Sequence, residues 1–433
     1  MIYGLRKMSE YNPPRGMRDI IGEDAELYEY LFEEFKSTAR RHGFEPIITP
    51  TLEYFSLFEA KSGEEIKKSM YVFEDKAGRR VALRPEVTAS VIRAYLRQLR
   101  ARPKPIRLYY VAQCFRYEEP QYARYREFWQ GGLEVIGDPD VNGDLAAAIT
   151  ASSFLEEIGV KHYYEVGNVA IYRAFMSAMG LSEEVQDHIL HLIDKDRINE
   201  ALSELKNLVG DKTEIIERLV STEDLDKVEF LVNEYKDFLG ERYERVIQEQ
   251  SRLRDFITIL RELGFNAKYQ PKLVRGLAYY TGLIFEYKLE NAPGAPSIGG
   301  GGRYDGLTMV YNGPFEYSTG LALGIDRIAL ALSGRELPRA YRKIAILVIG
   351  NTPLVIGYKI LDRIVKTNRR VNGFVLKTKS LSKSLEYAGK IGVDYTVIIG
   401  EREYSEGVVA LKDMKTGEQV KISIDELVNR FSQ

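Results

Sequence analysis

The sequence of 433 residues lacks most features that would indicate a disulfide-stabilised, secreted or membrane protein. It contains one cysteine, Cys114, which excludes an intrachain disulfide and a cysteine-based zinc site. No apolar run approaches the length of a membrane span, and the first residues lack the apolar stretch of a secretory signal. Hydrophobic residues at 45% and charged residues at 29% are typical of a globular protein. We therefore expect a cytoplasmic protein with no membrane partner.

Histidine and net positive charge are also scarce. The four histidines suggest no ligand cluster; His188 and His191 could share a helix face, where surface positions are the simpler interpretation. We therefore expect no metal held by protein side chains. The 61 Lys and Arg against 63 Asp and Glu give a formal charge of −2, which excludes a generally basic nucleic-acid coat. Contact with nucleic acid must come from local patches such as the arginine-rich run 93–107, which alternatively is a solvated helix face.

Residues 106–137 form the stretch around which the chain is organised, IRLYYVAQCFRYEEPQYARYREFWQGGLEVIG. Runs rich in aromatic and β-branched residues flank a polar middle, which predicts two antiparallel strands joined by a loop. Successive strand residues point to opposite faces. The residues that share a face are Cys114, Arg116 and Glu118 on the first strand, and Phe128, Gln130, Gly132 and Glu134 on the second. A cation, an amide and carboxylates could thus converge on one surface; the alternative is a solvated sheet face.

The loop between these strands interleaves cations with aromatic rings. Arg124 and Arg126 lie beside Tyr122 and Tyr125 in residues 119–126. Arginine and aromatic side chains together suit phosphates and unpaired bases. The loop is therefore a candidate nucleic-acid contact.

The segment FRYEEPQYARYREFWQ resembles motif 2 of the class II aminoacyl-tRNA synthetases, in the version found in the histidyl-tRNA synthetase family. The helix and proline-bearing strand predicted over residues 24–52 resemble motif 1, which forms much of the homodimer interface in that class. Further elements resemble the same family in chain order: LRPEVT, LVRGLAYYTG, GGGGRYDGL and, as motif 3, TGLALGIDR. From residues alone, LRPEVT could be a helix cap and the four glycines a flexible loop.

The pattern and the resemblance together predict an α+β fold with three parts. A class II antiparallel sheet flanked by helices is expected over residues 1–171 and 248–333. Helical spacing without proline predicts an inserted helical domain at 172–247. Alternating short strands and helices at 343–433 resemble the C-terminal α/β anticodon-binding domain of this family.

The resemblance implies ATP-dependent ligation of L-histidine to tRNA(His) through a histidyl-adenylate, releasing AMP and pyrophosphate, with Mg²⁺ on the ATP phosphates. The residues it implies for catalysis are Arg116 and Arg275. Those it implies for histidine binding are Glu86, Val87, Thr88, Gln130, Glu134, Tyr279 and Tyr280. Those it implies for ATP are Arg116, Glu118, Arg275 and Arg327. Those it implies for the tRNA acceptor end are Gln121, Arg124 and Arg126.

One position departs from the family pattern. Ala278 stands where the family motif has an aspartate, two residues before Tyr280, and the lost carboxylate could loosen the pocket or alter its charge.

The main alternative is a paralogue that lost aminoacylation and serves as a regulatory subunit of ATP phosphoribosyltransferase. That family typically lacks the C-terminal domain and erodes the second arginine, whereas Arg275 and residues 343–433 are present here. An RNA-binding module without catalysis and another class IIa specificity are the remaining alternatives.

Overall fold

The chain divides into two compact units, Met1–Arg335 and Glu336–Gln433. The structure, a computed structural model, describes residues 11–60, 68–119, 123–274, 279–292, 294–335, 342–368 and 371–431. The predicted site residues Gln121 and Arg275, and the departure at Ala278, lie outside these ranges. No helix among those described is long and apolar enough to cross a membrane.

The first unit is built around an eight-stranded, mainly antiparallel sheet. Its strand order is β1-β5-β6-β11-β10-β9-β7-β8, with parallel pairs only at the two edges. A smaller sheet has the order β2-β4-β3. The strands are β1 (Glu45–Pro46), β2 (Leu52–Tyr54), β3 (Val72–Glu74), β4 (Arg80–Leu83), β5 (Ile106–Phe115), β6 (Glu127–Ile136), β7 (His162–Asn168), β8 (Ala267–Tyr269), β9 (Leu283–Leu289), β10 (Gly299–Arg303) and β11 (Ser318–Gly324).

Helices cover one face of this sheet and form the block that follows β7. The helices described in the first unit are α1 (Glu23–Arg41), α2 (Phe55–Glu59), α3 (Thr88–Ala94), α4 (Val141–Glu157), α5 (Val169–Ala178), α6 (Glu183–Asp194), α7 (Ile198–Val209), α8 (Thr213–Ser221), α9 (Leu225–Glu234), α10 (Lys236–Leu239), α11 (Tyr243–Glu262), α12 (Leu307–Val310) and α13 (Ile325–Leu332). The block α5–α11 has the helical character predicted for the insertion. The domain boundaries at 171–172 and 247–248 stay predictions.

The core of the first unit lies between α1, α4 and the sheet. In α1 the buried residues Leu31, Phe35 and Ala39 recur every four residues and so line one side of the helix. The Phe35 ring packs edge-on against Phe154 of α4, with ring centroids 5.3 Å apart. Gly43, with φ of 80°, follows the end of α1 in the left-handed conformation that favours glycine.

The predicted strand, loop and strand of residues 106–137 are confirmed as β5 and β6, which pair in antiparallel register from Ile106–Ile136 to Phe115–Glu127. Strand β5 ends at Phe115, so Arg116 and Glu118 follow the strand and do not belong to it.

The flexible-loop interpretation of the four glycines is wrong. Residues Gly299–Arg303 form strand β10, which pairs with β9 on one side and β11 on the other. The backbone hydrogen bonds of a central strand hold this segment in place whatever its side chains are. Glycine content alone does not reveal that pairing.

The second unit is an α/β domain around a five-stranded sheet of order β13-β12-β14-β15-β16. Strands β13, β12 and β14 are parallel, and β14, β15 and β16 are antiparallel. Its elements are β12 (Arg342–Ile349), α14 (Leu354–Thr367), β13 (Val371–Thr378), α15 (Leu381–Lys390), β14 (Tyr395–Ile399), α16 (Glu401–Glu406), β15 (Val408–Asp413), β16 (Gln419–Ser423) and α17 (Ile424–Arg430). Alternate residues of β12 are buried on opposite faces, which accounts for its continuous apolar sequence. The predicted α/β character of residues 343–433 is confirmed, and the sheet is mixed.

Candidate active site

Polar side chains gather on the face of the large sheet that lies opposite α1 and α4. The register aligns Tyr110 of β5 with Gly132 of β6, and Glu134 of β6 with Gly320 of β11. Gln130 is two positions from Gly132 and shares its face. The convergence predicted for Gln130 and Glu134 therefore takes place over the centre of the sheet.

Glu134 is the focus of this face. It is 1% exposed, so the alternative of a solvated sheet surface is wrong here. Its Oε1 accepts hydrogen bonds from Thr88 Oγ1 at 2.8 Å and from the Tyr110 hydroxyl at 3.5 Å. Its Oε2 accepts one from the Tyr304 hydroxyl. Burial raises the pKa of Glu134 to about 8, and the bonds from Tyr304 and Thr88 oppose that rise.

Two glycines make room for these side chains. A Cβ on Gly132 would lie 2.1 Å from the Tyr110 ring, and a Cβ on Gly320 would lie 2.0 Å from Glu134 Oε2. Both side chains therefore cross directly over strand backbone, an approach that any residue larger than glycine would block.

Residues 86–88 lead into α3 beside this carboxyl group. Glu86 accepts the Ala89 amide at 3.1 Å, as a capping residue does, and Val87 is fully buried. The Thr88 hydroxyl donates to Glu134. Burial raises the pKa of Glu86, and the amide of Ala89 and the charge of Arg116 oppose that rise.

Gln130 lies beside the protein's cysteine. Cys114 Sγ is 3.1 Å from Gln130 Oε1. Burial raises the pKa of Cys114 to about 12, so the thiol is protonated at neutral pH and donates to the amide oxygen.

The two predicted tyrosines lie at the edge of the cluster. The Tyr279 ring meets the Tyr304 ring edge-on, with centroids 6.0 Å apart, and the Tyr280 ring centroid is 5.0 Å from that of Tyr279. Tyr280 is buried. Tyr279 thus contacts the ring whose hydroxyl binds Glu134, and Tyr280 contacts Tyr279.

The predicted arginines occupy different environments. Arg116 donates from Nε to the Pro85 carbonyl at 3.0 Å, and its guanidinium carbon is 5.3 Å from the Phe128 ring centroid. Arg327, in the first turn of α13, donates to the Ser297 carbonyl at 2.5 Å and the Ala123 carbonyl at 3.5 Å. Its Nε thus contacts the loop between β5 and β6, and its Nη1 contacts the segment that leads into β10.

The loop residues divide into one exposed and one buried arginine. Arg124 is exposed and lies 3.7 Å from the Glu118 carboxylate. Arg126 is 7% exposed; it donates to the Glu118 carbonyl at 3.0 Å, and its guanidinium carbon is 3.8 Å from the Tyr117 ring centroid. Of the two, Arg124 is the one whose side chain faces solvent.

Sequence reasoning gave no role to Tyr110, Tyr304 or Asp326. Tyr110 could have been found by extending the two-residue alternation back from Cys114 along β5. Tyr304 bonds a residue 170 positions away, and Asp326 bonds Arg18 across 308 positions, contacts that no local pattern reveals.

The arrangement suits a small ligand that carries nitrogen donors at one end and anionic oxygens at the other. Carboxyl groups, an amide oxygen and hydroxyls can accept N–H donors, and the guanidinium of Arg116 can neutralise an anion. A buried carboxyl with a raised pKa is typical of a binding or catalytic site.

Comparison with known proteins gives matches across both units. The family described as Histidyl-tRNA synthetase matches residues 16–328, and that described as Anticodon binding domain matches residues 343–433. The chain is 37% identical over 429 residues to the histidine–tRNA ligase of Sulfurisphaera tokodaii, covering 98% of this chain and 100% of that protein. It is 36% identical to that of Sulfolobus acidocaldarius, with the same coverage.

A solved structure agrees with these sequence matches. The apo histidyl-tRNA synthetase of S. aureus superposes with a TM-score of 0.72 at 28% identity, covering 98% of this chain and 100% of that one.

Proposed function

Because the chain belongs to the histidyl-tRNA synthetase family and is thus an enzyme that charges tRNA with histidine, we propose that it does so in two steps, through a histidyl-adenylate. In the first, a carboxylate oxygen of histidine attacks the α-phosphorus of ATP and pyrophosphate leaves. In the second, a hydroxyl of the terminal tRNA ribose attacks the acyl carbon and AMP leaves. Neither step needs a protein nucleophile.

The observation that carries the proposal is the buried Glu134 carboxyl with its hydroxyl partners. Histidine differs from most amino acids in having a side-chain N–H that a buried carboxylate can accept. We assign the imidazole to Glu134 and Tyr280, with Tyr279 and Val87 lining the pocket.

The α-ammonium group of histidine is assigned to Glu86, Thr88 and Gln130. The Thr88 proton is directed at Glu134, so its lone pairs are left to accept from the ammonium. The Thr88 hydroxyl would then contact both Glu134, which is assigned to the imidazole, and the α-ammonium group. The thiol of Cys114 occupies one lone pair of Gln130 Oε1 and leaves the other for the ligand.

ATP is assigned to Arg116, Glu118, Arg275 and Arg327. Arginine suits this chemistry because its planar, permanently charged fork neutralises phosphate oxygens without proton transfer. Arg116 lies close enough to Glu86 to influence its pKa, which favours a site where the amino acid and the α-phosphate meet.

Mg²⁺ is proposed to reach the site with ATP. Among the described residues, no group of three His, Cys, Asp or Glu side chains could hold a metal ion. Mg²⁺ usually keeps its waters and binds substrate phosphates with few protein ligands, so it does not require such a group. When bound, it would neutralise charge on the phosphates; Arg116 and Arg327 would orient the same phosphates.

We further propose contacts to tRNA(His), a homodimer and a cytoplasmic location. Gln121, Arg124 and Arg126 are assigned to the acceptor end, and Arg124 has the exposed side chain that such contact requires.

A partner subunit is supported by exposed apolar side chains on the segment that resembles motif 1 and next to it, with Ile48 97%, Tyr54 51% and Phe73 47% exposed. The regulatory paralogue is not favoured, because the curated ligases match along 98% of this chain.

Histidine-dependent ATP–pyrophosphate exchange tests the proposal. We expect exchange with histidine and with no other standard amino acid, and its loss in Arg275→Ala and Arg116→Ala variants. Arg15→Ala, which alters an exposed ion pair, is the control and should keep wild-type exchange. Histidine binding without exchange would overturn the adenylate proposal and direct attention to Ala278.

A further inference from the structure

A short segment before α1 crosses the loop that joins β5 and β6. We call residues 14–19 the N-terminal strap. The Gly16 carbonyl accepts the amide of Arg126 at 2.8 Å, and Arg15 forms an exposed ion pair with Glu119 at 2.8 Å. The strap thus contacts both ends of this loop, at residues 119 and 126.

Arg18 is the strap residue with the most buried contacts. Its Nη2 donates to Asp326 Oδ1 at 2.6 Å and also contacts the Tyr28 hydroxyl. Its guanidinium carbon is 3.5 Å from the centroid of the Tyr125 ring, a close cation–π contact. One side chain therefore connects the loop at Tyr125 to helix α13 at Asp326.

Asp326 connects the same point to the sheet. Its Oδ2 accepts the backbone amide of Trp129, in β6, at 2.7 Å, and its Oδ1 accepts the Tyr28 hydroxyl at 2.8 Å. The carboxylate is 6% exposed, and its counter-ion is the partly exposed guanidinium of Arg18. The next residue, Arg327, contacts the Ala123 carbonyl of the loop.

We propose that Arg18 is a positioning residue for ATP. By pairing with Asp326 and stacking on Tyr125, it fixes the loop between β5 and β6 against the first turn of α13. This inference rests on the proposed function, in which Arg116 and Arg327, on those two elements, hold the nucleotide. Arg18 itself touches neither phosphate nor base; it sets the spacing of groups that do, and small displacements of such groups lower rates strongly.

The test compares Arg18→Ala with Arg15→Ala in the full-length chain. In pyrophosphate exchange, Arg18→Ala should raise the KM for ATP about tenfold while the KM for histidine changes less than about twofold. Arg15→Ala lies on the same strap in an exposed pair and should leave both constants within about twofold of wild type. Arg18→Lys keeps the charge but not the planar fork, so we expect an intermediate KM for ATP.

A second pair of variants isolates the loop contact. Tyr125→Leu removes the ring and should raise the KM for ATP about threefold, whereas Tyr125→Phe keeps the ring and should match wild type. If Arg18 acts through Tyr125, adding Tyr125→Leu to Arg18→Ala should cause no further loss.

The results separate this role from a structural one. Equal rises in both KM values with a lower melting temperature would overturn the inference in favour of a structural role, as would an unchanged ATP affinity in Arg18→Ala. Should Arg18→Ala fail to fold, an unchanged ATP affinity in Tyr125→Leu would overturn it. Equilibrium ATP binding, measured on the same proteins, distinguishes the adenylation proposal from the role of Arg18. If the wild type binds ATP without exchange, adenylation is refuted. The ATP affinities of the variants then still decide the role of Arg18.

Discussion

The two faces of the large sheet each bury an ionisable group, and they do so in different ways. On the core face, Arg303 is 0% exposed; its Nε donates to Asp144 Oδ2 at 2.9 Å, and its other nitrogens donate to the carbonyls of Asp138 and Asp140. On the opposite face, Glu134 is buried equally well, but in the described part of the chain its hydrogen-bond partners are all neutral hydroxyls.

The carboxyl pKa values record this difference. Burial raises the pKa of Asp144 to about 6, where the adjacent Arg303 opposes the rise, and that of Glu134 to about 8, where hydroxyls oppose it. A buried carboxyl group that is paired with a cation of the protein contributes to the fold. A buried carboxyl group whose partners are all neutral can still pair with a ligand. Burial alone does not distinguish them; the partner does.

The largest expected effect comes from breaking the core pair. Arg303→Met would leave Asp144 and Asp305 without this cation and two carbonyls without donors, and should lower the free energy of unfolding of the first unit by about 3–5 kcal/mol. Urea unfolding measures it. In the double variant Arg303→Met with Asp144→Asn, part of that loss should return, since the unpaired charge is gone. Equal losses in the single and double variants would contradict the ion-pair explanation.

On the opposite face the same kind of change should affect function and spare the fold. Glu134→Gln keeps the shape and removes the carboxyl group, so we expect kcat/KM for histidine to fall about 10²- to 10³-fold because the imidazole N–H loses an anionic acceptor. Below pH 8 the free energy of unfolding should change by less than about 1 kcal/mol, because the protonated carboxyl of Glu134 gives way to a neutral amide. A large loss of stability with normal histidine use would reverse the comparison.

The pH dependence of histidine binding sharpens the contrast. In the free protein Glu134 is protonated below its pKa of about 8, and the carboxylate accepts an imidazole N–H more strongly than the neutral acid does. Binding should therefore release a proton, and affinity should rise by at most about tenfold per pH unit as pH approaches 8 and level off above it. Calorimetry in buffers of different ionisation enthalpy measures the proton. Glu134→Gln is the control and should release none from this position.

The smallest expected effect concerns the hydroxyl between the two ends of the ligand. Thr88→Val removes one hydrogen bond to Glu134 and one acceptor for the ammonium at nearly constant shape, so the KM for histidine should rise about fivefold. Thr88→Ser, which keeps the hydroxyl, should remain near wild type. Steady-state pyrophosphate exchange at saturating ATP distinguishes the variants, and a KM unchanged in Thr88→Val would remove Thr88 from the site.

The sequence predicts much of this arrangement because strand geometry is local. A period of two places Gln130 and Glu134 on one face regardless of the rest of the fold, and the structure agrees. Strand β10 was less predictable, since its stability comes from neighbours on both sides and not from its glycines. The burial of Arg126 and the contacts of Tyr304 depend on elements distant in sequence, so propensity and spacing carry no information about them.

Gly320 has a consequence for how such a pocket can change over evolutionary time. A Cβ there would meet the backbone oxygen of Leu133 at 2.6 Å as well as Glu134 Oε2, so no change at residue 134 alone would free this position to accept a side chain. A lineage that lost Glu134 would thus still need glycine at position 320, so this constraint on the sequence would outlast the carboxyl group that it accommodates.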